Sequence, residues 1–142
     1  MLLNDVRVTK TISVDYNPLC NVACIGKDEA WISGWKKSIT RVNIHGSIQE
    51  TITCNNPCVI SMTKKGELVY SENKSGAIYI VSEDTIENLI TTPRGWKAKG
   101  LCCTRLGNIL VNLHKLGRNK IVCYNDNIIT EEIDKDIYGN PI

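Results

Sequence analysis

The chain has 142 residues, of which 42% are hydrophobic and 23% are charged, and its formal net charge is +2. This length can bury one core, and the composition is neither that of a disordered chain nor that of a coiled coil. The start lacks the apolar core of a signal peptide, and no stretch approaches the roughly 18 apolar residues of a membrane span. The sequence therefore predicts an intracellular, cytoplasmic protein with no membrane partner.

A proline-marked turn recurs along the chain. Asn-Pro stands at Asn17-Pro18, Asn56-Pro57 and Asn140-Pro141. The first interval is 39 residues, from 17 to 56, and the second is 84, from 56 to 140, which is twice 42. Midway through the second interval, where another Asn-Pro would be expected, the sequence has Pro93-Arg94-Gly95-Trp96, which is also a proline-marked turn. A fixed period of this length indicates a repeat architecture.

Each turn is followed by four short apolar runs that are rich in Val, Ile, Thr and Tyr and bounded by turn residues, as is typical of strands. No window sustains the apolar spacing of an amphipathic helix. In chain order, the predicted strands are 22–25, 30–33, 39–43 and 48–52, then 59–62, 67–70, 77–81 and 85–90, then 101–104, 108–111, 120–124 and 127–132.

Four strands per roughly 40 residues, repeated, is the pattern of a β-propeller blade. The sequence thus predicts an all-β partial propeller of about three four-stranded antiparallel blades. A β-sandwich would also space its strands evenly, but it would not repeat like turns in a fixed order. The predicted units are 1–15 (outer strand of a preceding blade), 16–54, 55–92 and 93–134 (one blade each), and 135–142 (start of a next blade).

Closed propellers use about four to eight blades, so three blades would leave two uncovered sheet faces. The expectation is a fragment whose remaining blades come from a longer parent chain or from self-association. Whether Met1 is a true start stays open.

Several motifs recur in the predicted blades: Val22-Ala23-Cys24, Glu29–Gly34, Lys65–Tyr70, Gly95-Trp96-Lys97, Leu101–Thr104 and Gly107–Val111. They resemble NHL-type propellers at the C-terminus of tripartite-motif (RING, B-box, coiled-coil) proteins, most closely their divergent invertebrate forms, although the Asn-His-Leu triplet that names the repeat is absent. The resemblance implies a six-bladed parent that binds RNA or protein, with ubiquitin transfer performed by a RING that this chain does not contain.

Strand connectivity predicts that one end of the blades is basic. In a four-stranded meander, the turns between strands two and three lie at the same end as the crossings between blades. Trp35 and Trp96 fall in these loops, where exposed rings could stack on bases or anchor a protein partner. The competing interpretation is a solvated surface, with Trp96 packed between blades. The predicted binding face comprises Trp35, Lys36, Lys37, Lys74, Arg94, Trp96, Lys97, Lys115 and Arg118, with Lys99 nearby and Glu72 as the opposing acid.

The opposite end is balanced. Its cations are offset by a similar number of acids, so it gives no signal for an anionic ligand. The cations are Lys27, Lys64, Lys65 and Arg105, and the acids are Asp28, Glu83, Asp84 and Asp126.

The seven cysteines do not predict a disulfide framework or a metal site. Cys20 and Cys24 would lie about 13 Å apart in an extended strand, farther than tetrahedral zinc allows. Cys54 and Cys58 enclose a turn and could approach more closely, but no third and fourth ligand suggests itself. Cys102 and Cys103 are neighbours in a strand and point to opposite faces. His45 and His114 have no nearby nucleophile or acid, so the sequence predicts no catalytic residue, metal or cofactor.

Three function classes stay open. The first is a non-catalytic recognition module that binds protein or single-stranded RNA. The second is a fragment of a six-bladed lactonase- or esterase-type hydrolase, whose channel metal would need carboxylate and amide ligands. The predicted innermost strands contain no Asp, Glu or His, and Asn21 alone could be a ligand. The third is a truncated scaffold with no ligand of its own.

Overall fold

The computed structural model describes residues 7–142, except for the side chain of Cys58. Within these residues the regular structure is entirely β, which confirms the predicted fold class. The strands are β1 (Leu19–Ile25), β2 (Glu29–Gly34), β3 (Ser38–Asn43), β4 (Ile48–Thr53), β5 (Pro57–Met62), β6 (Leu68–Glu72), β7 (Ile78–Ser82), β8 (Thr85–Ile90), β9 (Lys97–Cys103), β10 (Ile109–Lys115), β11 (Arg118–Asn125) and β12 (Ile128–Ile133).

The strands form three antiparallel four-stranded sheets, each with its strands in sequence order. The sheets are β1 to β4, β5 to β8 and β9 to β12, and each lies inside one of the predicted units 16–54, 55–92 and 93–134. The first strands lie side by side, since β5 contacts both β1 and β9. The sheets are therefore successive blades whose first strands are innermost.

Two apolar cores hold the blades together. The first lies between blades one and two, where Trp31 and Ile39 pack with Leu68 and Tyr70. The second lies between blades two and three and includes Ile78. Because side chains alternate across a strand, the middle blade contributes one face to each core.

Each innermost strand contains a β-bulge near the end where the chain enters the blade. The register skips one residue at Cys20, at Cys58 and at Lys99. A bulge bends its strand and re-aims side chains. The sequence analysis did not predict these bulges, which recur in all three blades.

Residues 7–15 form no strand in the described chain, and the predicted outer strand of a preceding blade over 1–15 stays a prediction. Residues 1–6 lie outside the described residues. A strand needs a ladder partner, and the described chain contains no earlier strand beside this segment. The segment instead packs on the first blade, where the Tyr16 hydroxyl lies 2.8 Å from Thr40 Oγ1.

Residues 134–142 form a turn that bends back on itself. Asp136 Oδ1 accepts hydrogen bonds from the backbone N–H groups of Tyr138 (2.8 Å) and Asn140 (2.9 Å), and Lys135 bridges to Pro141. These bonds lower the pKa of Asp136, with the Asn140 backbone bond as the largest cause. The prediction that 135–142 begins another blade stays a prediction.

Within residues 7–142 there is no helix with the length and apolar character needed to cross a membrane.

Candidate ligand-binding surface

The loops at one end of the blades form a continuous strip, which we call the crossing-end surface. It comprises the loops after β2, β6 and β10 together with the two crossings between blades. The backbone N–H of Asn73 donates to Asn56 O (3.0 Å), which joins the β6–β7 loop to the first crossing. The N–H of Cys54 donates to Lys37 O (3.1 Å), which joins that crossing to the β2–β3 loop. These bonds hold residues of blades one and two in one surface.

Trp35 is the prominent aromatic residue of the crossing-end surface, with 83% of its area exposed. Its exposure follows from Gly34, where a Cβ atom would lie 2.2 Å from Pro18 O. Only glycine allows this close approach, and the chain then turns outward into the loop. The two tryptophans that the sequence placed in these loops therefore differ: Trp35 is exposed, whereas Trp96 is only partly exposed.

Beside Trp35 is a crevice of about 230 Å³ at the junction of blades one and two. The left-handed backbone of Asn56 (φ 46°) shapes one wall, and asparagine tolerates this conformation better than most residues. The residues that line the crevice are Cys20, Gly34, Trp35, Asn56, Pro57 and Asn73.

Lys99 reaches the rim of the crevice from the third blade. Its Nζ donates to Asn73 Oδ1 at 3.0 Å. Because Lys99 is the bulge residue of β9, it departs from the regular alternation of the strand. The structure therefore brings an exposed ring, two side-chain amides and an ammonium group together from three blades.

Trp96 packs against the second core and is only partly exposed. Lys120 Nζ lies 4.7 Å and the Arg118 guanidinium carbon 6.0 Å from its ring centroid. The packed interpretation of Trp96 matches the structure, and Arg118 is partly engaged by this ring. Trp96 is therefore less accessible than Trp35, whereas Arg118 is exposed.

Lys36 is also occupied. Its ammonium group pairs with the Asp15 carboxylate at 2.8 Å and lies 5.2 Å from the Tyr16 ring centroid. This lysine lowers the pKa of Asp15 through a hydrogen bond and through its charge. Lys36 therefore holds the segment before β1, and the sequence analysis missed Asp15 as an acid at this end.

Lys115 donates to Arg94 O (3.2 Å) and is half-buried, so it ties the β10–β11 hairpin to the second crossing. Lys36 and Arg118 are exposed but engaged by Asp15 and Trp96, and the other exposed cations of the crossing-end surface are Lys37, Lys74, Arg94, Lys97 and Lys99.

The described residues do not assemble a metal-binding cluster. In residues 7–142, no group of three or more His, Cys, Asp or Glu is arranged to hold a metal ion. Cys54 is buried, and burial followed by the charge of Glu72 raises the pKa of its thiol to about 11, which keeps it protonated at neutral pH. His114 Nδ1 lies 3.1 Å from Asn119 Oδ1 across a hairpin, a structural contact.

The sequence matches no protein-family model and no curated protein. The fold does match solved structures. Hydrazine synthase from Kuenenia stuttgartiensis superimposes with a TM-score of 0.71 at 13% identity, over 89% of this chain and 39% of that one. Virginiamycin B lyase from Staphylococcus aureus gives a TM-score of 0.65 at 17% identity, over 86% and 42%.

A protein of unknown function from Bacteroides caccae gives a TM-score of 0.61 at 18% identity, over 74% of this chain and 40% of that one. At these identities the likeness shows the fold alone, a partial β-propeller. The chain spans about two fifths of the length of these structures.

Proposed function

We propose that this chain is a non-catalytic recognition module of a β-propeller and that its crossing-end surface binds single-stranded RNA. The observation that carries the proposal is the exposed Trp35 ring beside a polar crevice, on a strip with five exposed cations. An exposed aromatic ring accepts any base by stacking, and a row of cations follows a phosphate backbone.

Each group has a definite role in this proposal. Trp35 stacks on one base, while the amides of Asn56 and Asn73 can donate to and accept from its edge. Lys37, two residues along the chain from Trp35, and Lys99, at the rim of the crevice, supply the salt-dependent attraction for phosphates. The crevice is smaller than the roughly 300 to 1,000 Å³ typical of pockets for drug-sized molecules, which suits one flat ring system.

The parent protein in this proposal is a tripartite-motif-like ubiquitin ligase, as the sequence resemblance implies. The propeller would select the target, and the RING would carry out the transfer. The ligase origin rests on the resemblance alone, whereas the RNA surface also rests on geometry.

The test is fluorescence anisotropy with a labelled oligouridine of about 12 nucleotides, within the range of known single-strand site sizes. Binding is measured at about 50 and 200 mM salt, where phosphate contacts lose most of their strength. One variant carries Lys37→Glu, Lys74→Glu and Lys97→Glu. Lys36 is left unchanged, because its loss would also release the segment held through Asp15.

A matched control carries Lys27→Glu, Lys64→Glu and Lys65→Glu, three exposed lysines at the opposite end. The two variants have the same net charge. We expect affinity for RNA to fall at least tenfold more in the crossing-end variant, with a salt slope smaller by about 2, since each phosphate contact contributes roughly 0.7. Equal losses would mean that net charge acts, rather than this surface.

The role of Trp35 is tested by comparing Trp35→Ala with Leu106→Ala, since both side chains are 83% exposed. Loss of one stacked base costs about 1 to 3 kcal/mol. Trp35→Ala should therefore weaken RNA binding at least fivefold, and Leu106→Ala should not. If the wild type ignores RNA but binds an acidic peptide on this surface, the RNA proposal is wrong and protein recognition replaces it.

A further inference from the structure

The third blade exposes a group of aliphatic side chains on its face away from the second blade, a face that also includes Asn112 opposite Ile121 and Glu131 opposite Cys123. Leu110 pairs with Cys123 across the β10–β11 ladder, and Ile121 pairs with Ile133 across the β11–β12 ladder. Residues directly opposite each other in antiparallel strands share a face. Leu110, Ile121 and Ile133 are between 37% and 43% exposed, although Leu110 and Ile121 lie on the two central strands of the sheet.

The same positions are buried in the other two blades. Ile121 occupies the ladder position of Ile39 in the first blade and Ile78 in the second, since each of the three pairs with an isoleucine on the fourth strand of its blade. Ile39 and Ile78 are both 0% exposed. The following blade covers each of them, because these residues lie in the two inter-blade cores.

The fourth strands follow the same pattern. Ile133 is 43% exposed, whereas its equivalents Ile52 and Ile90 are 8% and 2% exposed. An isoleucine pair is thus present in all three blades, yet it is covered only where another blade follows.

We infer that this face of the third blade receives a fourth four-stranded blade of the same propeller. The contact repeats the one between blades one and two, in which Ile60, Leu68 and Tyr70 cover the isoleucine pair of the preceding blade. The partner would therefore present large apolar side chains from its first two strands. This inference rests on sheet packing and is independent of RNA binding.

A second copy of this chain does not suit the face in the head-to-tail arrangement of a propeller. The copy would have to present its first blade, whose free face is already covered by its own residues 13–16. Under that cover, Ile32 and Val42 are only 4% and 6% exposed. Counted from the Asn-Pro turns, residues 9–14 correspond in sequence to β4, the position in the repeat that the β12 strand of another copy would have to take.

Thiol labelling can test the inference directly, because Cys102 is exposed and pairs with Leu110 on this face. Residues 58–92, a copy of the second blade, are joined after Pro141 in place of Ile142. Asn140-Pro141 then precedes the added blade as Asn56-Pro57 precedes the original. We expect maleimide labelling of Cys102 to slow at least tenfold in the extended chain. Labelling of Cys24, which is exposed on the first blade, should not change.

A control extension carries Leu68→Asp and Tyr70→Asp in the duplicated blade only, and it should leave Cys102 as reactive as in the original chain. Continued fast labelling of Cys102 in the unaltered extension would overturn the inference. The inference would also be overturned if labelling of Cys102 in the original 142-residue chain slowed with rising protein concentration, because a second copy of the chain would then cover this face.

Discussion

The isoleucine on the third strand of each blade allows the packing between blades to be measured. Ile78 in the second blade is fully buried, whereas Ile121 in the third is 37% exposed. Both pair with an isoleucine on the next strand, so their ladder positions are the same. Ile78→Ala and Ile121→Ala therefore compare one substitution with and without a covering blade.

The losses in the free energy of unfolding caused by Ile78→Ala and Ile121→Ala should differ by a factor of two or more. Replacing isoleucine by alanine removes three carbons, worth about 2.4 kcal/mol when fully buried. At Ile78 a closed cavity adds to this, for a loss of about 3 to 4 kcal/mol in the free energy of unfolding. Since 37% of Ile121 is already in solvent, its transfer cost is about 1.5 kcal/mol, and water fills the space left behind.

Urea unfolding followed by tryptophan fluorescence measures both losses, and sedimentation velocity checks that the variants share one association state. If Ile121→Ala lowers the free energy of unfolding as much as Ile78→Ala does, Ile121 is covered in solution, and the argument from its exposure is refuted. If Ile78→Ala costs less than about 1.5 kcal/mol, which is below the transfer cost alone, blades two and three do not pack as described.

Two further predictions concern the segment before β1 and the buried thiol. Tyr16→Phe removes the hydrogen bond to Thr40 Oγ1 (2.8 Å), which is worth about 1 kcal/mol. Trypsin should therefore cleave after Lys10 faster in this variant than in the control variant Tyr138→Phe. An unchanged cleavage rate would contradict the packing of this segment on the first blade. Burial raises the pKa of the Cys54 thiol from 9.0 to about 11. Between these two values the thiol ionises in the unfolded chain but stays protonated in the folded one. The contribution of Cys54 to the free energy of unfolding is therefore fully present below pH 9 and is lost as the pH rises towards 11. Cys54→Val should therefore make the fall in the free energy of unfolding between pH 9 and 11 shallower, and an unchanged slope would show that Cys54 is not the group responsible.

Much of the fold could be predicted from the sequence, because the signals involved are local. Alternation and turn residues mark the strands within a few residues, and the Asn-Pro period marks the blades. All twelve strands fall on or beside predicted runs, with boundaries shifted by a few residues; β9, for example, starts at Lys97 rather than at 101. Which loops lie together also follows from connectivity, since a meander places alternate turns at the same end of a blade.

The candidate site could be predicted only in outline. Trp35 and Trp96 look alike in sequence, each beside a glycine and a lysine, yet one is exposed and the other packs on the second core. Lys36 and Lys37 are neighbours, but only Lys36 meets an acid, Asp15, from 21 residues away. Such contacts join distant parts of the chain, and no local pattern encodes them.

The β-bulges and the segment before β1 also separate what local sequence determines from what tertiary packing determines. The sequence by itself determined that strands, turns and a repeat of about 40 residues exist, because backbone preference and side-chain alternation act between near neighbours. Tertiary structure alone decided that residues 7–15 pair with no strand and that Lys99 leaves its ladder to reach Asn73. Both outcomes depend on which blade lies alongside, a matter of packing between elements far apart in the chain.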